Sequence, residues 1–348
     1  MTKELRIGNV FIGNGKPVAI QSMTTADTAD AEKTAEQILR LEEAGCDVVR
    51  ASVYDMNAAI AFKAIKEKIN IPLVADVHFD YKLAVKAVEN GADKLRINPG
   101  NITDQKNVEY LADCCKRHNV PIRIGVNGGS LSQKVKDKFG ETSPEALVES
   151  AMENVKLLED VGFYDICISV KSSDVRKMIS AYRMLKQKCD YPLHLGVTEA
   201  GTKDIGVVKN AIGIGTLLLD GIGDTIRVSL TGDPVEEVYA AQNILRSVGM
   251  FNKGIEIISC PMCARTRIPL ESIVERVRVS TRGVNKPMKV AVMGCVVNGP
   301  GEAKDADLGI AGGGGDGEKS VVFKDGLVLA SGDTESMIQL LIKQIELY

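Results

Sequence analysis

The feature that most restricts how this chain can fold is a unit that recurs over its first 250 or so residues: a short apolar run, then a stretch with apolar residues at helical spacing. The runs are Val18–Met23, Val48–Val53, Leu73–Val77, Lys94–Asn98, Ile122–Asn127, Asp165–Val170, Leu193–Thr198 and Thr225–Leu230, eight in all. Between them lie helical patterns such as Ala31–Ala44, Tyr81–Asn90, Glu145–Val161 and Val235–Val248. Ser143-Pro144 opens one of these with an N-cap and a proline at the first helical position. The joins resemble one another. Gly45-Cys46-Asp47, Gly91-Ala92-Asp93 and Gly221-Ile222-Gly223-Asp224 each end a helix and lead into a strand, and an arginine (Arg50, Arg96, Arg227) follows each aspartate at the same interval. Glycine there suits a left-handed helix terminus. Eight such units in this length predict a closed (β/α)₈ barrel. An open doubly wound sheet would carry G-x-G-x-x-G after its first strand, and none occurs. Gly213-Ile214-Gly215 and Gly221-Ile222-Gly223 read as packing and capping glycines.

Beyond residue 250 the rhythm changes. Ile255–Ser259 reads as a strand, Leu270–Val279 as a helix and Lys289–Met293 as a strand. After the glycine run Gly312–Gly315 come strands Ser320–Phe323 and Leu327–Ala330 about an Asp325-Gly326 turn, then a helix, Glu335–Leu347. The glycine run is not a P-loop, since no G-x-x-x-x-G-K-[S/T] occurs. The expected architecture is thus an α/β chain: a TIM barrel over residues 1–252, then a small α+β domain over 253–348. With 348 residues, the chain is longer than one core usually supports.

Composition removes several function classes. A net charge of −3 gives no field to draw nucleic acid, and 4% aromatics without tryptophan offer few stacking platforms. The start, Met1-Thr2-Lys3-Glu4-Leu5-Arg6, lacks a signal-peptide core, and Asp220 interrupts the best apolar stretch, Ile212 to Ile222. The expected location is the cytoplasm, with no membrane partner. There the eight cysteines are reduced thiols or metal ligands.

Residues i and i+2 share a strand face. That rule groups Arg50 with Ser52, Asp76 with His78, Arg96 with Asn98, Arg123 with Asn127, Ser169 with Lys171, and Arg227 with Ser229; His194 reaches Thr198 one step further, and Glu199 follows. Barrel interiors are normally filled with branched apolar residues. Five cations on five strands (Arg50, Arg96, Arg123, Lys171, Arg227) exceed the two carboxylates of the set, Asp76 and Glu199. The C-terminal mouth of the barrel is therefore expected to bind a small molecule carrying more than one phosphate. His78 and His194 are each more ordinary as structural histidines; His118 closes a helix, where it complements the dipole.

In the second domain, Cys260-Pro261-Met262-Cys263 and Cys295 supply three soft thiolates, with Glu302 close behind Gly299-Pro300-Gly301. A thioredoxin-like pair would stand alone. Structural zinc wants a fourth Cys or His, and all three histidines lie in the first domain. Zinc with Glu302 stays open beside an iron–sulfur centre, which the spacing favours. With three cysteines, one iron would take another ligand such as Glu302 or stand open to substrate. Cys46, Cys114, Cys115, Cys167 and Cys189 lack ligand spacing and read as buried thiols.

Taken together, the chain resembles the 4-hydroxy-3-methylbut-2-enyl diphosphate synthases, in the short two-domain bacterial form, over nearly its whole length. The resemblance is carried by Pro17-Val-Ala-Ile-Gln-Ser-Met-Thr24, Ala75-Asp-Val-His-Phe79, Leu95-Arg-Ile-Asn-Pro-Gly-Asn101 and Ile122-Arg-Ile-Gly-Val-Asn127. Further carriers are Ser143 to Ala151, Leu195-Gly-Val-Thr-Glu-Ala-Gly201, Cys260-Pro-Met-Cys263 and Gly294-Cys-Val-Val-Asn-Gly-Pro-Gly-Glu302. It implies an iron–sulfur oxidoreductase of the non-mevalonate isoprenoid pathway that opens 2-C-methyl-D-erythritol 2,4-cyclodiphosphate reductively and removes a hydroxyl. It implies a [4Fe–4S] cluster on Cys260, Cys263, Cys295 and Glu302, a flavodoxin or ferredoxin as electron donor, and a head-to-tail homodimer in which the barrel of one chain faces the cluster of the other. In this reading Arg50, Arg96, Arg123, Lys171 and Arg227 hold the diphosphate, helped by Asn98, Asn127 and Ser229. Asp76, His78, Thr198 and Glu199 are the candidates for proton delivery. Two other readings remain: a phosphate-binding barrel with a zinc-stapled domain, and a pterin-binding barrel of the dihydropteroate synthase type.

Overall fold

The repeated Gly-x-Asp joins have a direct structural reason. Gly45, Gly91 and Gly221 take positive φ (+92°, +95°, +70°), ending each helix left-handed. The aspartate that follows then grips the start of the neighbouring strand with its side chain. Asp47 accepts from Ile20 N at 2.8 Å, Asp93 from Leu73 N at 2.7 Å and Asp224 from Leu193 N at 2.8 Å. Each residue's own amide also bonds back to the same strand start, at 2.8–2.9 Å. One short motif thus fixes strand register at three places in the sheet.

The computed structural model describes all residues except 103, 141–142, 282–283, 285, 298, 300–302, 304 and 314–318, and the side chain of Pro99. It contains two units, Met1–Met250 and Phe251–Tyr348. The first opens with a hairpin, β1 (Leu5–Ile7) and β2 (Val10–Ile12). Eight parallel strands follow: β3 (Ala19–Met23), β4 (Val48–Ser52), β5 (Leu73–Asp76), β6 (Lys94–Ile97), β7 (Ile122–Asn127), β8 (Ile166–Lys171), β9 (His194–Leu195) and β10 (Thr225–Ile226). They are hydrogen-bonded in the order β8-β7-β6-β5-β4-β3-β10-β9, and a bridge from Ile168 to Leu193 brings β8 against the start of β9. The ring is nearly closed, as expected of a (β/α)₈ barrel.

Its helices are α1 (Ala31–Glu43), α2 (Met56–Lys66), α3 (Tyr81–Glu89), α4 (Gln105–His118), a short α5 (Gln133–Phe139), α6 (Pro144–Asp160), α7 (Val175–Lys188), α8 (Lys203–Leu219) and α9 (Pro234–Ser247). Asp30, Asp55, Asp80, Asp104, Asp174 and Asp233 cap six of them through side-chain bonds to first-turn amides, and Ser143 caps α6. The β1–β2 hairpin was not anticipated from the sequence. Its Leu5, Ile7 and Ile12 pack with Ala19, Val48, Val74 and Cys167 at the N-terminal ends of the barrel strands, forming an apolar floor.

The second unit is a five-stranded sheet, β11 (Ile255–Ser259), β12 (Met288–Met293), β13 (Leu308–Gly312), β14 (Lys319–Lys324) and β15 (Leu327–Asp333), in sequential order. The first three strands run parallel and the last three antiparallel. Helices α10 (Leu270–Ser280) and α11 (Thr334–Leu347) share a core with the sheet through Ile273, Val277, Ile338 and Leu341 against Val290, Val292, Ile310 and Val322. β13 is an addition to the sequence reading. Asp325 and Gly326 both have positive φ (+48°, +76°), as the expected hairpin turn requires.

Candidate functional site

At the C-terminal ends of the barrel strands, one pocket is lined by Arg50, Asp76, His78, Arg96, Arg123, Asn127, Lys171, Thr198, Arg227 and Ser229, together with Ser169 and Gly125. Ten of the twelve barrel residues expected to form the site are therefore brought together. Asn98 is buried beside the set, 5% exposed and with its Oδ1 unpartnered, but is not in the lining. Glu199 is exposed just past Thr198, with φ +51°, and also lies outside the lining.

Asp76 is the electrostatic centre of one wall. Its carboxylate lies 3.5 Å from Arg50 Nε and 3.1 Å from Arg96 Nη1. Burial disfavours the charged carboxylate, but Arg50, Arg96 and Arg123 outweigh that and hold Asp76 below its ordinary range. His78 sits against Arg96 Nη1 at 3.1 Å; burial and the adjacent guanidiniums keep it neutral more readily than a free histidine. Arg123 is 1% exposed and donates to Ser169 Oγ at 2.8 Å. Burial, with Arg50 and Arg96 nearby, pulls Arg123 down to about 9, and burial pulls Arg50 to about 10, so both stay charged at neutral pH. Lys171 is also pushed well down by burial and by Arg123 and Arg227.

Two glycines make room for these cations. A Cβ at Gly125 would lie 2.6 Å from Arg96 Nε, and one at Gly196 would lie 2.7 Å from Lys171 Nζ and 2.6 Å from the Arg227 carbonyl. Several donors in the group remain unpartnered although buried: Arg96 Nε, Arg123 Nε and Nη2, and Arg227 Nε. Buried N–H groups of this kind call for acceptors. A ligand rich in oxygens would supply them.

Two buried charged residues around the site escaped the sequence reading. Glu237, on α9 and 4% exposed, accepts from Arg227 Nη2 at 3.1 Å, from Leu230 N at 3.0 Å and from Ser22 Oγ at 3.2 Å. The neutralising carboxylate for Arg227 thus comes from a helix, where only strand ends had been searched. Its signal was a charged residue at a buried helical position between Val235 and Val238. Lys94 is fully buried, bonded to Gln21 Oε1 at 3.1 Å, and brought down to about 7 by burial. It precedes Arg96 by two residues and so shared the face already flagged as polar. His194 is fully buried on Thr225 Oγ1 and does not line the pocket, which makes it structural.

In the second unit, β11 and β12 are paired in register up to Ser259 and Val292, so Cys260 and Cys295 leave the same end of adjacent strands. Cys260 Sγ accepts from Gly294 N at 3.2 Å. The loop carrying Cys263 folds back onto that edge, with Arg267 N bonded to Gly294 O at 2.9 Å. Cys263 is exposed, and the Arg265 backbone hydrogen bond draws its thiol below the ordinary range. Cys260 and Cys295, just past the ends of adjacent strands, and Cys263 on the loop that folds back there are the soft donors a thiolate-ligated cluster would use. Among the described residues no group of three or more His, Cys, Asp or Glu side chains is placed so that it could hold a metal ion. Glu302, expected as a ligand, lies outside the described residues.

Two family models cover the chain: a GcpE TIM-barrel domain matches residues 2–242, and a GcpE protein C-terminal domain matches residues 256–347. A 4-hydroxy-3-methylbut-2-en-1-yl diphosphate synthase (flavodoxin) of Caldanaerobacter subterraneus subsp. tengcongensis is 56% identical, over 99% of this chain and 97% of its own length. The protein of the same name from Clostridium perfringens is also 56% identical, over 99% and 98% of the two chains. Among solved structures, the dihydropteroate synthase of Stenotrophomonas maltophilia superposes with a TM-score of 0.52 at 13% identity, covering 71% of this chain and 98% of its own. That likeness is one of barrel fold.

Proposed function

The chain belongs to the GcpE family, and on that premise we propose that it converts 2-C-methyl-D-erythritol 2,4-cyclodiphosphate to 4-hydroxy-3-methylbut-2-enyl diphosphate, by reductive ring opening and dehydroxylation, in the non-mevalonate isoprenoid pathway. The observation that carries the reading is the cationic pocket with its unpartnered buried donors. Arg50, Arg96, Arg123, Lys171 and Arg227 hold the two phosphates, with Asn98, Asn127 and Ser229 adding hydrogen bonds. Charge-assisted contacts of this kind are the strong ones, and their fixed geometry sets the position of the reacting carbon.

Asp76 is ill suited to give a proton, because three guanidiniums keep it ionised. Its work is to fix Arg50 and Arg96. His78, near the same wall, serves as a neutral hydrogen-bonding group. Thr198 and Glu199 are at the rim, where a proton can reach the departing hydroxyl and release it as water. Cys260, Cys263 and Cys295 would hold a [4Fe–4S] cluster, with Glu302 as fourth ligand. Bound there, the cluster supplies two electrons singly and Lewis acidity.

Flavodoxin, which the relatives' name carries, is the proposed electron donor, with ferredoxin as the alternative. The proposed assembly is a homodimer, with substrate-binding and cluster domains spanning 1–252 and 253–348. The proposed location is the cytoplasm; among the described residues no helix is long and apolar enough to cross a membrane. The test is anaerobic purification followed by metal analysis and turnover with reduced flavodoxin. Near-equal iron and sulfide, with the cyclodiphosphate consumed, is the expected result. Zinc without iron, and no turnover, would overturn the reading.

A further inference from the structure

The cations of the pocket are not equally provided for. Asp76, on β5, is shared by Arg50 and Arg96. Glu237, on α9, is taken by Arg227. Arg123, on β7, has the neutral hydroxyl of Ser169. Lys171, at the end of β8, is left over: among the described residues no carboxylate and no hydrogen-bond acceptor holds its ammonium. Burial disfavours its charge, and the guanidiniums of Arg123, Arg227, Arg50 and Arg96 repel it further. The other groups around it bring no relief. His194, on β9, is kept uncharged by burial, and His78 in the same lining is itself disfavoured as a cation. Asp174, the nearest carboxylate along the chain, accepts from the Arg176 and Lys177 amides of α7, and Glu199 lies outside the lining. Gly196 on the neighbouring strand leaves no space for a further group, since a Cβ there would lie 2.7 Å from Lys171 Nζ.

A guanidinium does not shed its proton under such pressure, whereas a lysine does. We infer that Lys171 is uncharged while the pocket is empty and takes a proton from solvent as the polyanionic ligand enters, so that the last cation of the site is made by the ligand it holds. Negative charge within about 4–6 Å favours the ammonium form and reverses the balance that the arginines impose. The cyclic diphosphate cannot supply the proton itself. Each of its phosphorus atoms carries an ester and an anhydride link, so each keeps a single acidic oxygen, ionised throughout the neutral range. Binding is therefore coupled to pH with a definite sign. Where the empty pocket holds Lys171 neutral and the filled one holds it charged, one proton is gained, and affinity falls about tenfold for each unit that pH rises.

This inference rests on the cyclic diphosphate reading above and names the proton that accompanies the ligand. The test is titration calorimetry of the cyclic diphosphate into oxidised, cluster-loaded, full-length protein, without reductant, at about pH 8.5, above the usual range of histidine. Repeating it in buffers of different ionisation enthalpy counts the protons exchanged. Expected is an uptake approaching one proton per chain for wild type and for Lys94→Met. Lys171→Arg, with a permanent cation, should bind with no uptake and lose the pH dependence of affinity. Should Lys171→Arg fail to fold beside Gly196, Lys171→Gln makes the same measurement, with weaker binding and no uptake. A wild type that binds the cyclic diphosphate without taking up a proton overturns the inference alone. So does an uptake that persists in the Lys171 variants, which would place the proton on another group such as Lys94 or His78. A wild type that fails to bind the cyclic diphosphate at any pH overturns the functional reading and the inference together.

Discussion

Replacing Asp76 by asparagine tests the charge balance of the pocket. Asp76, 5% exposed, faces Arg50 at 3.5 Å and Arg96 at 3.1 Å. At an effective dielectric near 20, each contact is worth about 5 kcal/mol of attraction before desolvation is charged against it. Removing one partner of a buried pair typically costs about 3–5 kcal/mol, because the other charge is left uncompensated. Asp76→Asn should therefore lower the unfolding free energy by about that amount near neutral pH, measured by urea denaturation. The pH dependence follows from linkage. The folded-state carboxyl is held below its ordinary value, so its contribution is fully present above the unfolded-state pKa and fades as pH falls through the folded-state value. The gap between wild type and variant should stay constant from pH 6 to 8 and close only below about pH 4. Inorganic pyrophosphate supplies replacement negative charge. At a hundred times its dissociation constant for wild type it should stabilise that protein by about 2.7 kcal/mol, and the variant by more at the same concentration. A variant as stable as wild type, gaining no extra stabilisation from pyrophosphate, would refute the assignment of Asp76 as the clamp on two arginines.

Gly125→Ala should weaken pyrophosphate binding at least tenfold without unfolding the barrel, because the new methyl would lie 2.6 Å from Arg96 Nε; titration calorimetry reads this directly. Lys94 has its proton affinity lowered to about 7 by burial, so the unfolded chain holds its proton more tightly than the folded one, and stability should climb as pH rises from about 7 toward 10. Lys94→Met should remove that residue's share of the slope in pH-resolved melts. Cys295→Ser should bleach the brown cluster absorption and abolish turnover, while pyrophosphate affinity is unchanged; a colourless variant with full activity would defeat the metal assignment.

The barrel was legible because its period is carried by many residues at once: apolar runs, helical stretches and Gly-x-Asp joins agree. The hairpin was not, since three-residue strands are too short to show alternation, and Leu5, Ile7 and Ile12 acquire meaning only against Val48 and Val74. β13 sits in a glycine- and alanine-rich segment, Leu308–Gly312, whose small side chains give no pattern. Gly309 is small for a reason visible only in three dimensions, as a Cβ there would lie 2.2 Å from the Phe323 ring. The arginines of the pocket could be read from strand alternation because they stand two or four residues from other polar groups on the same face. Glu237 could not, because its partner Arg227 lies on another element. Pairings across elements are set by the fold, and a single sequence does not display them.

The hydrophobic floor laid by Leu5, Ile7 and Ile12 makes the barrel a blind alley. Whatever enters the cationic pocket must back out through the doorway it came in by. If the pocket holds the substrate as proposed, a departing molecule that keeps both phosphates must share that passage and those arginines with the next arrival, and product inhibition competitive with the cyclic compound is the expected kinetic signature.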